Sequence, residues 1–142
     1  MPAPPRLGDV FASPLRDTIV GPRDGAFVVA EWTIPGGPVD EPPRLVAPLH
    51  VHLEDDEAWY VLEGTLRFRL GERELEAHAG AAVVGPRGVP HTFWNPGREP
   101  ARFVLVITPR TLRLIETIHE LPDRSPETLR EHFRRYGCEI VD

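Results

Sequence analysis

The sequence predicts an all-β barrel followed by two short helices. Three observations lead there. Short apolar segments are punctuated throughout by turn residues, 17 prolines and 12 glycines in 142 residues. Residues 65–70 alternate cleanly, with Leu66, Phe68 and Leu70 on one side and Arg67 and Arg69 on the other. After residue 109 the apolar spacing changes to a helical period.

Each element follows from its local chemistry. Met1 to Ser13 reads as a loose lead-in arm. Thr18–Val20 and Ala26–Ile34 are strands joined across Pro22, Asp24 and Gly25. Residues 35–48 hold five prolines and two glycines, so an extended loop is expected there. Leu49–Leu53 and Ala58–Leu62 are short strands around the acidic turn Glu54–Asp56. Gly71-Glu72 is a two-residue hairpin turn between 65–70 and the return strand Arg73–Ala77. Ala81–Val84, Thr92–Trp94 and Arg102–Thr108 complete the strand set.

In the tail, Leu112, Leu114, Ile115 and Ile118 fit a helix that Pro122 must end. Ser125-Pro126-Glu127 is a helix start, with a Ser cap, Pro at the first position and an acid near the positive end. Leu129, Phe133 and Tyr136 follow at helical spacing, and Gly137 is a natural stop. Both helices are expected on the outside of the barrel. One domain, 1–142, is expected, with the barrel at about 15–109 and the helical tail at 110–142.

The bulk numbers limit the function classes. A formal net charge of −6 argues against a nucleic-acid backbone binder, which needs a concentrated basic face. No stretch approaches the ~20 apolar residues of a membrane span. Met1–Val10 has no apolar run that would serve as a secretory signal, and the expected location is the cytoplasm. The single cysteine, Cys138, cannot form an internal disulfide and has no His nearby in sequence to activate it. His78, His119 and His132 are isolated in the pattern and expected at the surface.

The chemistry concentrates in four residues. His50 and His52, two apart on a strand, put both imidazoles on one face. Glu57 opens the next strand, and His91 follows the bend Pro86-Arg87-Gly88-Val89-Pro90. Each alone is unremarkable; an isolated HxH pair or an acid in an acidic run is usually solvated. The conjunction is more telling. His50-x-His52-x4-Glu57-x6-Gly64 and Gly80-x5-Pro86-x-Gly88-x2-His91-x3-Asn95 resemble the two conserved motifs of the cupin superfamily, with the short gap (65–79) of small bacterial single-domain cupins. Arg44 stands where the first motif usually opens with Gly, which affects the local loop and not the ligand positions.

The resemblance implies a double-stranded β-helix, or jelly roll, with His50, His52, Glu57 and His91 holding one divalent transition metal: Fe, Mn, Ni, Cu or Zn. Alternation then places Trp59 and Phe93 beside the metal as substrate-binding residues, with Thr92 and Trp94 on the other face. On the last strand either Phe103, Leu105 and Ile107 or Val104 and Val106 point inward. The expected function is a metal-dependent enzyme acting on a small, aromatic or flavonoid-like molecule, a quercetin-dioxygenase-like oxygenase in which Glu57 doubles as proton acceptor. The alternative is a non-enzymatic metal-dependent binding or sensor module; an open cavity beside the metal distinguishes the two. The expected partners are a small-molecule ligand and a second copy of the chain in a homodimer.

Overall fold

A computed structural model describes residues 3–142. The reading of Met1–Ser13 as an arm falls partly on residues 1 and 2, outside the described residues. Within the rest of that arm, Leu7–Val10 form one helical turn, α1, and Leu7 and Phe11 are exposed.

Ten strands follow: β1 (Ile19–Val20), β2 (Val28–Ile34), β3 (His50–His52), β4 (Glu57–Glu63), β5 (Thr65–Leu70), β6 (Arg73–His78), β7 (Ala82–Gly85), β8 (His91–Trp94), β9 (Ala101–Ile107) and β10 (Cys138–Ile140). Two helices, α2 (Pro109–Ile118) and α3 (Pro126–Arg135), lie between β9 and β10. The strands form two five-stranded antiparallel sheets, ordered β1-β2-β9-β4-β7 and β10-β3-β8-β5-β6. The consecutive strands β3 and β4 lie in opposite sheets, as do β7 and β8. This is the jelly-roll arrangement.

Strand alternation builds the core between the sheets. On β4, Glu57, Trp59 and Val61 are buried while Tyr60 is exposed. On β5, Leu66 and Phe68 are fully buried, and Phe68 lies opposite Phe93 of β8. The choice left open on β9 resolves in favour of Phe103, Leu105 and Ile107, all buried, with Val104 and Val106 only half-buried. The hairpin between β5 and β6 pairs Leu70 with Arg73, leaving Gly71-Glu72 as its turn, with φ of 60° at Gly71. At Gly64 (φ 77°) a Cβ would sit 2.7 Å from the Pro100 carbonyl oxygen, so the tight passage from β4 to β5 requires glycine.

Thr92 and Trp94 leave the core face of β8 yet are buried as well. The proline-rich loop covers them. Thr92 Oγ1 donates to the Ala47 carbonyl (2.6 Å), and the Val46 N–H donates to the Phe93 carbonyl (2.9 Å).

The helices form where their caps direct. Thr108 Oγ1 accepts from the Thr111 N–H with Pro109 next in line, and Ser125 Oγ accepts from the Thr128 N–H with Pro126 next. Gly137, at φ 74°, turns the chain out of α3. The expected position of the helices outside the barrel needs correction. Leu112 of α2 joins the barrel core, and Leu114, Phe133 and Cys138 form a second buried cluster. His132 is also not a surface residue: it is 6% exposed, with Nε2 2.9 Å from Thr117 Oγ1. No helix among the described residues is long and apolar enough to cross a membrane.

Candidate metal centre

His50, His52 and His91 come together because β3 and β8 are neighbours. The register places His50 directly opposite His91, and the i, i+2 spacing brings His52 to the same face. Glu57 reaches the cluster from the other sheet, at the start of β4. All four side chains are at most 7% exposed.

The acidic turn that links β3 to β4 is anchored at both ends, and this fixes the geometry. Arg110 of α2 donates from Nε to Asp55 (2.9 Å) and from Nη2 to Glu54 (3.1 Å). Arg87, in the bend before β8, donates from its backbone N–H (2.8 Å) and its guanidinium (2.8 and 3.1 Å) to Asp56. The Arg87 bonds hold the Asp56 carboxyl down at about 2. The Gly88 N–H donates to the His52 carbonyl (2.8 Å). One set of charged contacts therefore ties together the segments carrying His52, Glu57 and His91.

Second partners assign the imidazole tautomers. His50 Nδ1 lies 2.7 Å from the Pro48 carbonyl and His91 Nδ1 lies 3.3 Å from the Val89 carbonyl, so each Nδ1 carries the proton and donates. His52 Nδ1 lies 3.0 Å from Cys138 Sγ, whose S–H is directed at the Tyr136 carbonyl (3.6 Å). The sulfur is then the acceptor and His52 Nδ1 the donor. All three Nε2 atoms are left with bare lone pairs, and they face one another and Glu57. His50 Nε2 is 3.2 Å from His52 Nε2, His52 Nε2 is 3.2 Å from Glu57 Oε1, and His91 Nε2 is 2.9 Å from Glu57 Oε2.

Facing acceptors repel unless a cation or protons sit among them, so this donor set fits a divalent metal. The ligating atoms of His50, His52 and His91 lie within 4.8 Å of one another, close enough to hold one ion. Burial pushes the His50 imidazole down to about 4, so it is neutral and able to ligate near neutral pH. Burial by itself would push the Glu57 carboxyl up. When protons instead of a metal occupy Nε2 of His52 and His91, their hydrogen bonds and charge outweigh burial and hold the carboxyl at about 2.

The cluster lines a cavity of about 450 Å³. Trp59, Phe93, Phe103 and Leu105 are among the barrel residues lining it. The helices add wall through Thr111, Leu114, Ile115 and Ile118 of α2 and Leu129 and Phe133 of α3, and the proline-rich loop adds Val46, Ala47 and Pro48. The Phe133 ring meets His50 edge-on at 5.5 Å. The helical wall and the Cys138 contact are the parts of the site that the sequence reading missed. The helical spacing of Leu114, Ile118, Leu129 and Phe133 showed an apolar face, but not what it covers. Cys138 reaches His52 only because β10 pairs with β3, placing Cys138 opposite His52.

The cupin-domain family profile matches residues 39–107, the segment that contains all four converging residues. The chain carries a cupin domain. Several solved structures share this fold. The cupin domain of Schizosaccharomyces pombe Cnp3 aligns at 13% identity over 70% of this chain and 63% of its own, with a TM-score of 0.53. A cupin protein from Bacteroides fragilis aligns at 17% identity over 59% of this chain and 66% of its own, with a TM-score of 0.50. A sugar phosphate isomerase of the cupin superfamily from Silicibacter pomeroyi aligns at 29% identity over 59% of this chain, with a TM-score of 0.49. This cupin spans 51% of the length of that isomerase. No curated protein sequence matches the chain.

Proposed function

We propose that this cupin is a metal-dependent enzyme acting on a small, largely apolar organic molecule, and that its reaction is an oxygenation. The observation that carries the reading is the placement of four lone-pair donors in the wall of a cavity of about 450 Å³. That volume lies within the ~300–1,000 Å³ of small-molecule sites. A packed barrel would have supported a purely structural metal instead.

His50, His52, Glu57 and His91 would hold the ion. When bound, such an ion supplies Lewis acidity and, for Fe, Mn, Ni or Cu, redox chemistry with O₂. The chain's own residues do the rest. Trp59 and Phe93, with ring centroids 5.5 Å apart, give a flat apolar wall that orients a planar substrate. The α2 and α3 side chains add an apolar wall that would limit water around the substrate. Glu57, the one carboxylate among the lining residues, would accept the proton of a substrate hydroxyl.

The experiment is metal analysis of the purified protein, followed by O₂ uptake by Fe-, Mn-, Ni- and Cu-loaded forms against catechols, flavonols and diketones. Uptake that depends on the metal and is lost in Glu57→Gln supports the reading. No uptake with any loaded form contradicts the oxygenase assignment. A parallel panel of sugar phosphates, the substrate class in the name of the Silicibacter pomeroyi relative, then separates isomerisation from oxygenation.

A further inference from the structure

We infer that the ligand of this cavity is an apolar organic acid, and that Arg124 holds its carboxylate at the end of the cavity formed by the helices. The inference rests on the four-residue cluster being a metal site, and it adds the ligand's charge and the residue that reads it.

The first observation is the charge of the wall. Among the residues lining the cavity there is one carboxylate, Glu57, and one guanidinium, Arg124. A divalent cation outweighs Glu57, and Arg124 adds a further positive charge. In a chain of net charge −6, this cavity is a local positive region enclosed by apolar side chains, and apolar walls strengthen the field within it.

The second observation is the state of Arg124. Three arginines of α2 and α3 are committed: Arg110 to Asp55, Arg130 to Asp142 and Arg134 to Glu139. Arg124, in the turn between α2 and α3, has no ion-pair or hydrogen-bond partner among the described residues. Its neighbour Asp123 is occupied, accepting from the Ser125 N–H (2.9 Å), Ser125 Oγ (3.0 Å) and Thr128 Oγ1 (2.7 Å). The guanidinium is free to form the paired hydrogen bonds that suit a carboxylate.

The third observation lies deeper. Trp59 lines the same cavity and is 2% exposed, and its indole N–H is buried with no acceptor among the described residues. A buried donor without a partner is unfavourable, and a ligand oxygen relieves it. The features together describe a ligand with an aromatic or aliphatic body, oxygen acceptors along it and an anionic terminus.

The test is isothermal titration of the zinc-loaded protein with 3-phenylpropionate and with its uncharged amide, in wild type and in Arg124→Gln. Arg124 is exposed, so the variant is expected to fold. The acid should bind wild type about tenfold more tightly than the amide. In Arg124→Gln the preference should fall below about threefold, with amide affinity unchanged. Equal affinity of acid and amide for wild type, a preference that survives Arg124→Gln, or binding of neither probe would overturn the inference. Zinc content of the same samples separates this outcome from failure of the metal reading: a chain that binds no zinc refutes the metal site, whatever Arg124 does.

Discussion

Cys138 Sγ sits 3.0 Å from Nδ1 of His52, with no solvent exposure, and thereby sets which imidazole nitrogen faces the cluster. Burial first, then the charges of Glu57 and Asp55, push the thiol up to about 12, so the sulfur stays protonated and neutral. It acts as an acceptor that orients a ligand and not as a nucleophile. Cys138→Val removes the acceptor at similar volume. Its zinc affinity, measured by chelator competition, should fall about tenfold, within the range typical of second partners of metal-bound histidines. Cys138→Ser, which keeps an acceptor, should recover most of that loss. Equal zinc affinity in all three proteins would show that His52 needs no such partner.

Glu57 contacts both His52 and His91, so its removal leaves three imidazoles without their only anion. Glu57→Gln should lower zinc affinity by tenfold or more while leaving the circular dichroism spectrum of the barrel unchanged. A variant that retains zinc as tightly as wild type would exclude Glu57 from the ligand set.

Acid should destabilise the metal-free protein in a defined window. His50 is held at about 4 when folded, below its ordinary value of 6.5. Between those values the unfolded chain takes up a proton that the folded chain refuses. Stability is therefore full above pH 6.5 and falls as the pH drops towards 4, by roughly 3 kcal/mol. Glu57, held at about 2 against an ordinary 4.5, extends the loss in the same direction below pH 4.5. Urea unfolding of the metal-free protein at pH 7 and pH 4.5 measures this. Equal or greater stability at pH 4.5 would contradict it.

The helices are expected to be part of the site. Phe133 is 2% exposed, lines the cavity and meets His50. Phe133→Ala should cost about 3–5 kcal/mol in urea unfolding, the usual penalty for emptying a buried aromatic position. It should also weaken binding of 3-phenylpropionate. A loss below about 1 kcal/mol would mean that α3 packs loosely and closes nothing.

Much of the barrel was legible because its signals are local. Alternation over 65–70, the Gly71-Glu72 turn and the Ser125-Pro126 cap each depend on a few adjacent residues, and each element lies where they indicate. The convergence of His50, His52, Glu57 and His91 was legible only through motif resemblance, because strand pairing across dozens of residues leaves no periodic trace. The roof of the cavity was not legible. An apolar stripe such as Leu114, Ile118, Leu129 and Phe133 reports that a helix is half-buried, not which surface buries it. His132 was misjudged and the role of Cys138 beside His52 was missed for the same reason: their partners, Thr117 and His52, are 15 and 86 residues away.

The most direct test of the metal centre is a crystal structure of the manganese-loaded protein with anomalous data at the manganese edge. One strong peak is expected about 2.0–2.3 Å from Nε2 of His50, His52 and His91 and from a carboxylate oxygen of Glu57. A peak elsewhere, or four well-ordered side chains with no peak among them, would contradict it.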